Sequence, residues 1–142
     1  MMRYFRRLSF VVLMFLAVSP ASAEASAKDN GFDWSPVMDA IMMVESKGNA
    51  RAVNGQYAGI LQISPILVRE CNNILKVRGS GKRYSLSDRF SASKSREMFV
   101  LIQSFHNPLN SVEKAIRIWN GGLRYNIRRT QKYFNRVMGF LR

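Results

Sequence analysis

The stretch ESKGNARAVNGQYAGILQISP, Glu45 to Pro65, decides how the chain is read. Glu45 closes a run in which Trp34, Met38, Ile41 and Glu45 share one helical stripe. Ser35-Pro36 reads as an N-cap followed by proline in the first turn, so the spacing predicts a helix from there to about Glu45. Asn49 to Tyr57, with Gly48 before it and Gly55 within it, reads as a turn-rich loop. Ser64-Pro65 repeats the cap-and-proline signature and opens a second helix, expected to reach about Leu75. A short hairpin between Val53 and Ile63 is compatible with the same pattern.

Outward from this stretch the helical pattern continues. Lys76 to Ser87 is basic, holds Gly79 and Gly81, and is predicted to be an exposed loop. Met98, Leu101, Ile102 and Phe105 mark a helix from about Ser91 to Phe105, stopped by Asn107-Pro108. Ser111, with Lys114 where a capping box would place an acid, caps a helix from about Val112 to Asn120. That helix is expected to bury Val112, Ala115, Ile116 and Trp119. Gly121-Gly122 ends it, and a last basic helix runs from about Arg128 to Leu141. No internal repeat and no clear strand pair emerges, so the expected fold class is all-α.

The N-terminus reads as a secretory signal peptide. Arg3, Arg6 and Arg7 precede an apolar run from Leu8 to Val18, Pro20 breaks it, and Ala21-Ser22-Ala23 supplies small residues for cleavage. The run is about half the ~20 residues that a membrane span requires. Cleavage is expected after Ala23, with Ala27 as the alternative. The expected organisation is therefore a signal peptide over 1–23, a small polar leader over 24–33, and one domain over 34–142. No cysteine follows the apolar run at a lipoprotein-like distance, so no lipid anchor is expected. An exported product would be periplasmic or extracellular.

The chain carries a formal charge of +13. Three of its 22 basic residues and none of its nine acids lie in residues 1–23, which leaves +10 on the remainder. Such a charge ordinarily points to nucleic acid, but export turns the expectation toward an anionic cell envelope. Cys71, the single cysteine, lies in a predicted helix and reads as core filling. His106 stands apart from other ligand-type residues, so no metal and no cofactor is expected.

Glu45 is the residue with chemical promise. It points the same way as Ile41 and Met38, toward the core, and it ends its helix where the macrodipole disfavours negative charge. Both effects favour the neutral acid and raise its pKa. A carboxyl kept protonated near neutrality suits a general acid. The other reading is a helix-end glutamate paired with Lys47 or Arg51. Pattern alone leaves these two open.

The segments ESKGNARAVN and AGILQISP together resemble the lytic transglycosylase domain of the soluble, goose-lysozyme-like type. In that family a Glu-Ser pair ends a helix, Gly-Asn and Ala-Val follow in a loop, and a Gly-Leu-Met-Gln-like turn comes next. Ala115 to Gly122, AIRIWNGG, is similar to the family's Ala-x-x-x-Tyr-Asn-x-Gly stretch, and Thr130 to Val137 to its closing Thr-x-x-Tyr-Val helix. The resemblance covers roughly Trp34 to Val137. It implies that Glu45 is the catalytic acid, that Ser46 lines the saccharide cleft, and that Gln62, Asn120 and Tyr133 contact or border substrate. One departure stands out. Where the family has a tyrosine able to reach the glutamate, this chain has Trp119, whose indole donates but cannot accept a hydrogen bond. Trp119 either walls the cleft against a sugar face or fills the core. Asn120 is either a helix C-cap or a substrate ligand, and the resemblance favours the ligand.

The substrate so implied is the peptidoglycan glycan strand, cut at the β-1,4 bond between N-acetylmuramic acid and N-acetylglucosamine. Ordinary glycosidases use two carboxylates. Beyond Glu45 the helices hold Glu70, Glu97 and Glu113, and only Asp88, near a loop, offers itself as a second. It could equally cap a helix. A one-carboxylate route giving a 1,6-anhydro product fits this inventory better. The alternatives are a muramidase of the same fold, a non-catalytic glycan-binding module, and a basic interaction protein of an envelope-spanning apparatus.

Overall fold

The computed structural model describes residues 31–141. The signal peptide, both cleavage sites and most of the leader lie outside the described residues. Five helices carry the fold: α1 (Ser35–Glu45), α2 (Pro65–Val77), α3 (Ala92–His106), α4 (Val112–Gly121) and α5 (Ile127–Phe140). A two-stranded antiparallel hairpin, β1 (Val53–Asn54) and β2 (Tyr57–Ala58), follows α1, with Val53 opposite Ala58. The domain is all-α with this short hairpin, as the sequence predicts.

Local chemistry accounts for most of the boundaries. Ser64 Oγ accepts from the Leu67 N–H at 3.2 Å ahead of Pro65, and Ser111 Oγ accepts from the Lys114 N–H at 3.1 Å. Each satisfies one of the amide donors that a helix start leaves free. α1 differs from expectation. Ser35 is already the first helical residue, Trp34 stands at the N-cap without a side-chain bond, and Asp33 Oδ1 accepts from the Ser35 N–H at 2.9 Å.

α1 packs on α5, α4 on α5, and α2 on α3. The core between them includes Ile41, Leu61, Ile63, Ile74, Phe99 and Val137. Trp34 meets Phe99 edge-on at 5.7 Å, and Phe99 meets Trp119 at 4.8 Å, an aromatic row running from the residue ahead of α1 through α3 to α4. Cys71 is buried, and burial pushes its thiol up to about 12. It fills the core and is held in the unreactive protonated form.

Three expectations change. The Lys76–Ser87 segment is pinned at its middle, because Tyr84 is buried and exchanges two bonds with Asn72: N–H to Oδ1 at 2.8 Å and Nδ2 to the carbonyl at 2.9 Å. α2 also reaches Val77, two residues beyond the predicted end. His106 is paired, with Nε2 2.8 Å from Glu70 Oε1. The partners are 36 residues apart, so spacing along the chain could not bring them together.

Arg117 joins α4 to α5 from inside the protein. Only 2% exposed, it donates to Glu113 Oε1, the Ile127 carbonyl, Thr130 Oγ1 and Gln131 Oε1 at 2.8–3.0 Å. Its guanidinium also lies 4.5 Å from the Phe134 ring centre. A buried cation is tolerated when its donors are used in this way. The effect is to fix α5 against α4, and α5 carries one half of the candidate site.

Candidate active site

Glu45 is the last residue of α1 and is half-buried. Tyr133, in the middle of α5 and 9% exposed, donates its hydroxyl proton to Glu45 Oε1 at 2.7 Å. The packing of α1 on α5 therefore sets the pair. Burial raises the pKa of Glu45, while the Tyr133 hydrogen bond and the positive charge of Arg136 work against that rise. Tyr133 is itself pushed far up by burial and by the adjacent carboxyl, so its hydroxyl remains a donor. Neither Lys47 nor Arg51 forms an ion pair with Glu45; its bonded partner among the described residues is Tyr133. Glu45 Oε2 is left available for a proton or a ligand.

The turn after β2 is tied to the residue that follows Glu45, through the Ser46 bond to the Ile60 carbonyl. Ala58 and Ile63 exchange backbone bonds at 2.9 and 3.1 Å, closing Gly59-Ile60-Leu61-Gln62 into a tight loop. Gly59 has φ +83°, and a Cβ there would stand 1.7 Å from the Arg89 carbonyl oxygen. Glycine is required both by the backbone and by that close approach. Arg89 also grips the turn from outside, donating to the Gln56 carbonyl at 2.9 Å and the Ile63 carbonyl at 3.1 Å.

Three of the residues singled out in the sequence converge on this turn. Ser46 Oγ donates to the Ile60 carbonyl at 2.7 Å, which ties the residue after Glu45 to the loop. Gln62, at φ +51°, spends both amide protons on the Ala52 and Gly59 carbonyls, at 3.1 and 2.9 Å. Its Oε1 remains the atom able to accept from a ligand. Trp119 Nε1 donates to the Leu61 carbonyl at 2.9 Å while its ring packs on Phe99. Trp119 thus anchors α4 to the turn while staying partly exposed, so it fills the core on one side and meets solvent on the other.

Asn120 is exposed on the last turn of α4, and the helix is capped beyond it by Gly122 at φ +77°. The C-cap alternative for Asn120 falls. Asp88 Oδ2 accepts from the Ser85 N–H at 2.8 Å, capping the 3-10 turn Leu86–Phe90. The residue considered as a second carboxylate is thus engaged in local structure. Sequence reasoning gave Arg136 no role at Glu45 and gave Arg117 none at all. Arg136 could have been found from its place three residues after Tyr133, and Arg117 from its position inside an apolar stripe. Among the described residues no three His, Cys, Asp or Glu side chains gather into a metal site.

No family model, curated protein or solved structure matches the chain.

Proposed function

We propose that this protein is a peptidoglycan lytic transglycosylase of lysozyme-like fold, exported to the cell envelope, with Glu45 as its single acid and base. The observation that supports this best is the Tyr133–Glu45 hydrogen bond at 2.7 Å on a half-buried carboxyl whose pKa is raised by burial. A neutral Glu45 protonates the oxygen leaving the anomeric carbon of N-acetylmuramic acid. The carboxylate so formed is steadied by the Tyr133 hydroxyl. It then takes the proton from the muramyl 6-hydroxyl as that oxygen closes on the anomeric carbon, leaving a 1,6-anhydro end. The substrate's own acetamido group shields the developing cation, as in other substrate-assisted glycosidases. One carboxyl suffices for both transfers, and neither water nor a cofactor enters.

The engagement of Asp88 in its cap favours this route over a two-carboxylate muramidase. Ser46 and Trp119 shape the cleft floor through the turn, and Gln62 Oε1, Asn120 and the edge of Trp119 are the groups offered to the saccharide. Product analysis tests the reading. Muropeptides released by the protein should lack one water relative to hydrolysis products and resist borohydride reduction, both read by mass spectrometry. Reducible muramic ends would assign a muramidase instead. Binding without released fragments would assign a glycan-binding module.

A further inference from the structure

Arg129, Lys132 and Arg136 stand at i, i+3 and i+7 on α5, so they form one stripe along its exposed surface. Arg129 is four residues before Tyr133 and Arg136 three after it, which places the stripe along the flank of the residue bonded to Glu45. The three cations have no acidic partner within ion-pair distance among the described residues, although Arg136 acts through space on Glu45. Asp39, Glu70, Glu97 and Glu113 are paired elsewhere, with Arg96, His106, Lys82 and Arg117. A surface that leaves three adjacent cations unpaired repels itself unless a ligand supplies the anions.

The length of the stripe narrows the ligand. Arg129 to Arg136 spans about 10 Å along the helix axis. That is too long for one small anion and suits a chain that bears negative groups at intervals. Arginine presents a planar fork that matches carboxylates. We propose that Arg129, Lys132 and Arg136 hold carboxylates borne along a glycan strand, aligning the strand over Glu45. This inference rests on the reading of Glu45 as a glycan-cleaving acid. In intact peptidoglycan each stem is joined to the muramyl lactyl group through an amide, so the free carboxylates are those of the peptide stems, and a lactyl carboxylate appears only where a stem has been removed. A neutral β-1,4 polymer such as chitin offers neither and should be held poorly.

The test is a pull-down in low salt with the full protein carrying Glu45→Gln, so that binding is read without cleavage. Three solids are compared: intact sacculi freed of phosphate polymers, the same sacculi stripped of stems by an amidase, and chitin. Retention on both kinds of sacculi should exceed that on chitin. Adding Arg129→Gln and Lys132→Gln should lower retention on intact sacculi by about three- to tenfold, and added salt should do the same. A loss larger on intact than on stripped sacculi assigns the stem carboxylates, and an equal loss on the two shows that the stripe takes the lactyl carboxylates bared by the amidase just as well. Each single substitution should give part of the loss, which keeps the test decisive if the combined variant folds poorly. Unchanged retention by the variants, or equal retention of the parent on chitin, overturns the proposal. Cleavage surviving Glu45→Gln would overturn the catalytic reading instead, and the binding comparison would still stand.

Discussion

Tyr133 Oη lies 2.7 Å from Glu45 Oε1, joining the middle of α5 to the last residue of α1 across 88 positions of sequence. The bond stabilises the carboxylate more than the neutral acid, so it holds the Glu45 pKa below the level that burial alone would set. Tyr133→Phe removes only that donor. The Glu45 pKa should then rise further, and the alkaline limb of the pH–rate profile should move to higher pH. Cleavage at neutral pH should fall by about tenfold, the size of one charge-assisted hydrogen bond. A profile that stayed in place would mean the hydroxyl does not act on the carboxyl in solution.

Glu45→Gln should lower cleavage of purified peptidoglycan by about a hundredfold or more, because the amide keeps the shape but has no transferable proton. The same variant carries a stability signature. Burial raises the folded pKa of Glu45, so the folded chain holds a proton that the unfolded chain releases. The carboxyl's contribution is fully present below its unfolded value of about 4.3 and is lost as pH rises through the folded value. Glu45→Gln, neutral throughout, should therefore be more stable than the parent at pH 7, with the advantage shrinking toward pH 4. Urea melts at both pH values read this directly. A pH-independent offset would show that Glu45 is not perturbed.

The helices were legible in the sequence because their signals are local. Ser64-Pro65 and Ser111 cap where they were expected to cap, and Asn107-Pro108 stops α3 at His106. Glu45 was legible for the same reason, as a carboxyl at the end of an apolar stripe. What closed over long range was not. The Asn72–Tyr84 exchange, the His106–Glu70 pair and the Tyr133–Glu45 bond each join elements brought together only by packing. The departure at Trp119 also reads differently in three dimensions. A tyrosine does reach the glutamate, but it arrives from α5 rather than α4.

Gly59→Ala tests whether the turn beside Glu45 is held as tightly as its geometry indicates. A Cβ would meet the Arg89 carbonyl oxygen at 1.7 Å and its carbon at 2.8 Å, on a backbone already at φ +83°. Both are backbone atoms, so neither can swing aside. The loss should be about 3 kcal/mol or more, from left-handed strain together with overpacking. Gly55→Ala is the control: its φ is +59°, but a Cβ there meets nothing within 4 Å. It should cost only about 1 kcal/mol. Equal costs in thermal melts would mean that the Arg89 segment moves away freely.

Trp119→Tyr places a tyrosine where the resembled family carries one, and so asks which residue serves Glu45 here. Glu45 Oε1 already receives the Tyr133 hydroxyl, and Trp119 is engaged elsewhere, donating Nε1–H to the Leu61 carbonyl at 2.9 Å. The new hydroxyl would only duplicate the donor that Tyr133 already supplies to Oε1. The loss of the indole would leave the Leu61 carbonyl without its side-chain donor and open space beside Phe99, which packs on Trp119 at 4.8 Å. Stability should fall by about 2 kcal/mol, combining a lost hydrogen bond with a small void. Cleavage should stay level or decline, because the turn that frames Glu45 loses its tie to α4. A rise of about tenfold or more, the worth of one charge-assisted hydrogen bond, would show that Glu45 depends on a tyrosine at position 119. Tyr133 would then be a core residue that happens to touch it.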